Sequence, residues 1–485
     1  MHNPYILTHM RNIPPKVLKT FERIKKKEPS HIELKIIKNN YYVYRATSEW
    51  DKERKKVRKI TEYIGSIDHG GIFRKKRVRS RIQESEREVF EYGNGALAHH
   101  MIKDLEGLLA KNTPYCNELI ATAIIKAIDP KPLRLFASRW EKLYLSKLID
   151  VSLTPKHLSS VLSSIGRDIH IWYDLFSKLA TREDLLLYDL TSVFTYSKNI
   201  KLAERGYNAD HEYIDQIGVI MAFSSITKLP VGVDVFYGSM KDITTVRDFI
   251  ERFPKKDIGF IFDRGFSSYG LLNDLREDGI HYIVPLRKNS TLIDLRWMRW
   301  KGSFLYRGRP IRWGTKGTEY GTLFAFEDPL LKGEEEQALL RKVEANKLTM
   351  AMFEQKRRLA GVICLVSDMD KDGIDMFDMY KGREDVELAF DTMKNRLESD
   401  KTYLRSDEAV RGYFLATFLA MRIYFKILKS LREKGLTNKI SVEEVLFELS
   451  KVTKIVEKSG REYFAKIPKR ARRMCSLFPE VLPMG

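Results

Sequence analysis

Apolar residues recur along this chain with two periods, and the changes of period divide it into segments. Over residues 1–80 a basic opening stretch is followed by two β-type runs, Tyr41–Ala46 and Ile60–Ile64, flanking the charged stretch Ser48–Arg58. That pattern predicts a small β-containing module with a charged turn, and Gly70-Gly71 reads as a break. Over 81–182, Leu105, Leu108 and Leu109, then Leu119, Ile120 and Ile124, follow helical spacing and predict a helical domain. From 183 to 290 short apolar runs take over: Leu185–Tyr188, Gly218–Phe223 and Val231–Phe236, a helical Thr244–Phe253, the run Ile258–Phe262, a helical Leu271–Glu277 and Tyr282–Pro285. Three strands, a helix, a strand, a helix and a strand predict a mixed α/β sheet.

Residues 291–360 interrupt that pattern with the Gly- and aromatic-rich stretch Ser303–Trp313, a strand-like Thr322–Phe326 and a charged helix over Gly333–Leu359. Over 361–430 it resumes, with a strand at Val362–Val366, an amphipathic helix over Ile374–Ser399 and a further helix from about Ser406. Residues 431–485 read as a basic helical tail.

Charge changes the picture from fold to partner. Lys plus Arg number 85 against 65 Asp plus Glu, a formal net charge of +20. Such a surplus favours a polyanion, because neutralised phosphates release condensed counterions. The basic residues cluster at Lys52–Lys59, Arg74–Arg81 and Lys466–Arg473, as an extended nucleic-acid track would require. Cys116, Cys364 and Cys475 match no CxxC spacing, so neither a zinc site nor a disulfide framework is expected. The longest apolar stretch, Tyr413–Met421, is too short to span a bilayer and runs into Arg422. A cytoplasmic, nucleoid-associated protein without membrane contact is expected.

Two carboxylates follow β-type runs directly, Asp189 after LLLY and Asp263 after FIF. Rigid strands are good mounts for functional carboxylates, although either residue alone is more often a turn former or helix cap. On the helix Ile374–Ser399, at about 100° per residue, Tyr380, Arg383 and Lys394 lie within about 40° of Glu387, beside an apolar stripe of Met379, Val386, Phe390, Met393 and Leu397. Periodicity alone makes this an ordinary surface helix with an Arg–Glu pair. The preceding DMDKDG imitates a calcium loop, but Met379 stands where that loop needs its Glu, so a calcium site is rejected.

Tyr380, Arg383, Glu387 and Lys394 together reproduce the spacing Y-x2-R-x3-E-x6-K. In this the chain resembles the DDE-class insertion-sequence transposases of bacteria and archaea. LLLYDLTSVF, FIFDRGFSSYGLL and the insertion before the Glu resemble the same group, and YYVYRATSEWDKERKKVRKITEYIGSI resembles one branch of it.

The resemblance implies an α/β chain with an RNase H-like catalytic core and a β-rich insertion, preceded by the small β-containing and helical regions and followed by the helical tail. The first Asp would lie on the first strand of the core, the second on the fourth, and the Glu on a helix. It implies catalysis by Asp189, Asp263 and Glu387 as ligands of two divalent ions, Mg²⁺ or Mn²⁺. Such a pair suits phosphodiester cleavage and joining. Arg383, Lys394 and Tyr380 are implied as DNA contacts. The implied partners are double-stranded DNA, as terminal inverted repeats and target, and a second copy of the chain pairing two ends. Trp297, Trp300 and Trp313, set among Arg296, Arg299, Arg307, Arg309 and Arg312, suit base stacking or hairpin packing equally. Rival readings are an RNase H-like nuclease that does not join, a non-catalytic DNA-binding derivative of a transposase and, on charge alone, an RNA-binding protein.

Overall fold

The computed structural model describes residues 13–28, 30–51, 56–76, 87–195, 197, 199–207, 213–239, 242–253, 257–397, 399, 401–402 and 404–482. The chain divides into two units, residues 1–87 and 88–485.

In the first unit the helix Pro15–Lys27 starts on a proline, whose missing N–H costs nothing in a first turn. It packs Val17 and Phe21 on an antiparallel sheet of four strands, Ile32–Ile37, Asn40–Asp51, Lys56–Ile67 and Phe73–Lys75, around Ile32, Tyr41, Val43 and Ile67. Lys38 and Asn39, both at positive φ, make the two-residue turn between the first two strands. The Ser48–Arg58 stretch expected as a turn is mostly strand, paired out to Asp51↔Lys56. Thr47, Trp50, Val57, Ile60 and Thr61 favour extended backbone whatever the charge between them. Residues 52–55 of that stretch lie outside the described residues.

The second unit opens with helices Gly93–Ile102, Glu106–Asn112, Cys116–Ile128, Phe136–Trp140, Pro155–Arg167 and His170–Leu179. Cys116–Ile128 is apolar on nearly every side and is correspondingly buried. The sheet follows, eleven-stranded among the described residues, with main strands β1 (Leu185–Thr195), β2 (Tyr213–Ser224), β3 (Pro230–Tyr237), β4 (Gly259–Ile261), β5 (His281–Pro285), β6 (Arg299–Tyr306), β7 (Arg309–Thr318), β8 (Gly321–Glu327) and β9 (Val362–Ser367) and the short strands Glu204–Tyr207 beside β2 and Lys401–Thr402 beside β1. The order of the main strands is β6-β7-β8-β9-β5-β4-β1-β2-β3. β4 runs parallel to β1 and to β5, and the remaining neighbours in that order are antiparallel. Helices α1 (Asp242–Arg252) and α2 (Tyr269–Glu277) flank β4 in the chain, and α3 (Gly373–Lys381), α4 (Glu384–Asp391) and α5 (Asp407–Glu433) follow β9.

Residues 185–188 are buried without alternation because the sheet is covered on both faces. Tyr188 meets Phe249 of α1 on one face (ring centroids 5.4 Å apart), and Phe223 of β2 meets Phe425 of α5 on the other (5.0 Å). The insertion strands β6–β8 continue this same sheet through β9. The stretch Ser303–Trp313 is a hairpin turning at Arg307 and Gly308, both at positive φ.

Three expectations need correction. The charged helix Gly333–Leu359 is two helices, Pro329–Glu344 and Met350–Arg357, separated at Asn346 (φ 55°), with Thr349 capping the second. The amphipathic helix Ile374–Ser399 is also interrupted: α3 ends at Gly382, Arg383 begins α4, and Thr392–Arg396 widens to π spacing. The tail is not wholly helical. Beside Val442–Leu449 and Lys469–Cys475 it carries the strands Thr453–Glu457 and Glu462–Phe464, which join Arg87–Glu91 in a small sheet. β-branched Thr453, Ile455 and Val456 and a turn at Gly460 (φ 81°) account for it.

Candidate active site

Asp189 lies in the middle of β1, opposite Met221 of β2, and not at a strand end as the apolar run suggests. Its parallel neighbour β4 stops earlier, its last pair being Ile261↔Leu187. Two residues on from that pair the chain reaches Asp263 on one side and Asp189 on the other, so the two carboxylates are carried abreast. Asp263 also caps the short turn Arg264–Phe266 by accepting the Arg264 N–H at 2.6 Å. Cap and site carboxylate are here one residue.

The third carboxylate arrives on α4, which packs on β1 and β2 through Val386, Ala389 and Phe390. Arg383, at its start, is mostly buried and joins the group: Nη1 donates to Asp263 Oδ1, and Nη2 donates to Glu387 Oε1 at 2.9 Å. One guanidinium thus bridges carboxylates from two elements. Burial works against the Arg383 charge, but Asp263 and Asp189 hold its pKa above the usual value. Asp189 is pushed up to about 6 by burial, with repulsion from Asp263 and Glu387 adding to it, against the Leu190 N–H (2.9 Å) and Arg383.

These donors are hard oxygens whose mutual repulsion a divalent cation would relieve, so the residues suit Mg²⁺ or Mn²⁺ in kind. Among the described residues no three His, Cys, Asp or Glu side chains stand close enough to enclose an ion. Between Asp263 and Glu387 the positive charge is supplied by Arg383, and a cation held by both would displace it.

The other two members of the spacing lie on the elements before and after α4. Tyr380 is 8% exposed and packs in the core at the end of α3, with its carbonyl accepting the Arg383 N–H at 3.1 Å. Lys394 is half-buried in the π-spaced turn. Of the insertion tryptophans, Trp297 is exposed, Trp300 lies under the Arg312 guanidinium (4.0 Å to the ring centroid), and Trp313 is buried against Gly373.

Two supports had no signal in the sequence. Asp385 of α4 is held by Lys228 (3.4 Å) from the β2–β3 turn and by Arg432 (3.0 Å) from α5, which fixes the helix carrying Glu387. Lys126 is 3% exposed and donates to the Leu397 carbonyl (3.3 Å), Ser399 Oγ (3.1 Å) and Tyr413 OH (2.8 Å). It thereby ties the helix Cys116–Ile128 to the end of the segment that carries Lys394. Lys126→Ala removes three buried hydrogen bonds made by a charged donor and opens a cavity, so a loss of roughly 2–4 kcal/mol in urea unfolding is expected. An unchanged unfolding midpoint would remove that tie.

Comparison with known proteins completes the description. Residues 180–423 match the family model described as Transposase DDE domain. Among solved structures the chain is similar to that in a cryo-EM structure of piggyBac transposase synaptic complex with hairpin DNA. The two share 13% identity with a TM-score of 0.38, over 80% of this chain and 84% of that one. No curated protein matches.

Proposed function

Because this chain belongs to the Transposase DDE domain family, we propose that it cuts DNA at the ends of an insertion sequence and joins the freed 3′-OH to target DNA. The observation that carries this reading is the convergence of Asp189, Asp263 and Glu387 on Arg383 at one edge of β1 and β4. The order β3-β2-β1-β4-β5, with one acid on the first strand, one just past the fourth and the third on a following helix, supports an RNase H-like core. In this reading residues 183–290 and 361–430 make up that core, 291–360 the insertion, and 1–80, 81–182 and 431–485 the flanking domains.

Asp189, Asp263 and Glu387 would hold two divalent ions, Mg²⁺ or Mn²⁺. When bound, such ions supply an activated water and a stabilised leaving oxygen. The protein's own part is positional. β1 and β4 hold two carboxylates abreast on rigid backbone, while the Asp385 clamp and the apolar face of α4 hold the third. Arg383 neutralises the carboxylates before metal arrives. Once displaced it is placed to take a DNA phosphate in a bidentate grip, with Lys394 as a point charge further along. Tyr380, whose carbonyl accepts the Arg383 N–H, is kept in this reading as a DNA contact beside Arg383. A synapse of two element ends implies a homodimer. No helix among the described residues is long and apolar enough to cross a membrane, and the net charge of +20 suits a nucleoid-associated protein.

The test is cleavage and strand transfer on a duplex bearing the element's own terminal repeat, with Mg²⁺ or Mn²⁺. Joined product is expected from wild type. Glu387→Gln is expected to lose it while keeping its affinity for the duplex. Cut but unjoined ends would move the assignment to a nuclease, and binding with no metal-dependent cutting would move it to a DNA-binding derivative.

A further inference from the structure

The antiparallel ribbon formed by Asn40–Asp51 and Lys56–Ile67 outruns the sheet to which it belongs. On one side pairing with Ile32–Ile37 ends at Arg45, and the Ala46 N–H makes one last bond to the His31 carbonyl (2.8 Å). On the other side Phe73–Lys75 pairs only with residues 65–67. From Thr47 to Ile60 the two strands continue paired only with each other among the described residues.

Burial shows the same thing. Strands of a sheet that rests on a core alternate between buried and exposed, yet residues 56–62 are exposed without a break. Trp50 is 61% and Val57 64% exposed, and they stand directly opposite each other. Residues opposite each other share a face. Trp50, Val57, Ser48 and Lys59 therefore lie on one face, and Thr47, Ile60 and Arg58 on the other.

The chemistry of the ribbon selects among partners. The described parts of the ribbon, Ala46–Asp51 and Lys56–Thr61, carry three basic and two acidic residues. Its exposed apolar side chains are interleaved with charged ones, whereas the core of a protein–protein interface is depleted of charge, Lys above all. Duplex DNA fits both properties, with phosphates for Lys and Arg and thymine methyls for apolar contact. It also fits the dimensions. Two strands about 4.8 Å apart enter a major groove about 12 Å wide and about 8.5 Å deep. The run Thr47–Asp51, at about 3.3 Å per residue, is long enough to reach the groove floor.

We infer that this ribbon is a DNA-reading arm that lies in the major groove at the element ends, with Trp50 against the bases on one face and Lys56 and Arg58 on phosphates from the other. The inference rests on the transposase reading and names which part of the chain meets the ends. None of these residues belongs to the carboxylate site, so binding and chemistry separate experimentally.

The experiment uses the full chain, as wild type, Lys56→Ala/Arg58→Ala and Trp50→Ala, on the terminal-repeat duplex and on a scrambled duplex over a range of salt. Thermal unfolding of each variant is recorded alongside. The double variant is expected to unfold as wild type does, to bind at least about tenfold more weakly and to lose about 2 from the log–log salt slope. Trp50→Ala is expected to narrow the preference for the repeat over the scrambled duplex. Guanine N7 protection in the repeat is expected to fade in the variants. Wild-type affinity and slope in the double variant, or N7 protection that does not change, overturn the inference. So does a loss of binding that sedimentation traces to a broken dimer at constant slope. Cleavage by the wild type is scored in parallel. If binding depends on the ribbon but wild type never cuts, the enzymatic reading fails and the arm stands.

Discussion

Asp189→Asn is expected to abolish DNA cleavage and, in the absence of metal, to make the protein more stable. The two effects have one cause. A partly buried carboxylate with Asp263 and Glu387 as neighbours is costly to ionise, and its pKa is raised from 3.8 to about 6. A displacement of that size is about 2–3 kcal/mol held against the folded state once the group is charged, at roughly 1.4 kcal/mol per pKa unit. Because the folded pKa is the higher one, the folded state binds more protons between about pH 4 and pH 6. The ionised side chain therefore has no penalty below pH 4, acquires it as pH rises, and carries it in full above about 6.

Asn keeps the oxygen that accepts the Leu190 N–H and removes the charge. The variant should thus exceed wild type at pH 7 by about 1–3 kcal/mol and lose that lead as pH falls toward 4. Cleavage should drop roughly a thousandfold or more, since the carboxylate most deeply set among the three can no longer hold a cation and several kcal/mol of transition-state stabilisation go with it. Chemical denaturation at pH 7 and pH 4 without metal, beside a cleavage assay, reads both. A variant that cuts normally takes Asp189 out of the site. A variant less stable than wild type at pH 7 means that the charge is compensated and the site is not poised for a cation.

How much of this could be read from sequence depended on whether the signal was local. The strands that carry the site were legible because their apolar runs are short, dense and bounded: LLLY, IGFIF and VGVDVF each lie within a strand or end at its border. The extent of β1 was not legible, because its second half, LTSVFT, owes its extended state to five register pairs with β2 and not to its own pattern. The helical breaks were hidden for the opposite reason. Periodicity runs straight through Asn346, where one positive-φ residue ends the helix, and through Gly382, where the backbone stays right-handed and the hydrogen bonding only tightens, with the Arg383 N–H donating to the Tyr380 carbonyl. The four spaced residues were visible as a motif, yet the angular argument for one helical edge assumed an unbroken helix. Arg383 and Glu387 do share an edge, whereas Tyr380 lies on the preceding helix and Lys394 in the π turn. Asp385 and Lys126 carried no signal at all, because their partners come from distant parts of the chain.

Gly412→Ala, outside the site, is expected to be strongly damaging, and Gly107→Ala benign, although both put a better helix former into a helix. Intrinsic propensity alone would favour each by roughly 0.5–1 kcal/mol. Gly107 lies in the exposed helix Glu106–Asn112, where an added Cβ would meet nothing within 4 Å. That gain should appear in full. Gly412 of α5 faces the helix Pro155–Arg167, and an added Cβ would stand 2.1 Å from the Leu162 carbonyl oxygen. Across the same crossing a Cβ on Gly166 would stand 1.8 Å from the Glu408 carbonyl oxygen. The obstacle in both cases is backbone, which cannot swing aside as a side chain does, so the helices must separate.

Separation is not a local matter. α5 also packs Phe418 on Phe176 (5.2 Å) and Phe425 on Phe223 (5.0 Å), and its buried Arg422 donates to the Pro230 carbonyl at the start of β3. Its Arg432 is half of the clamp on Asp385. Moving α5 outward disturbs the face of the sheet that supports α4 and Glu387. Overpacking of about 1–3 kcal/mol at one contact is therefore expected to rise to roughly 3–5 kcal/mol here, with cleavage lost in step with folding. Urea unfolding of the two variants against wild type, at a temperature where all three are folded, orders them as Gly107→Ala above wild type above Gly412→Ala. A Gly412→Ala protein of wild-type stability would show that the two helices do not meet backbone to backbone, and the support of α4 by α5 would then need another origin.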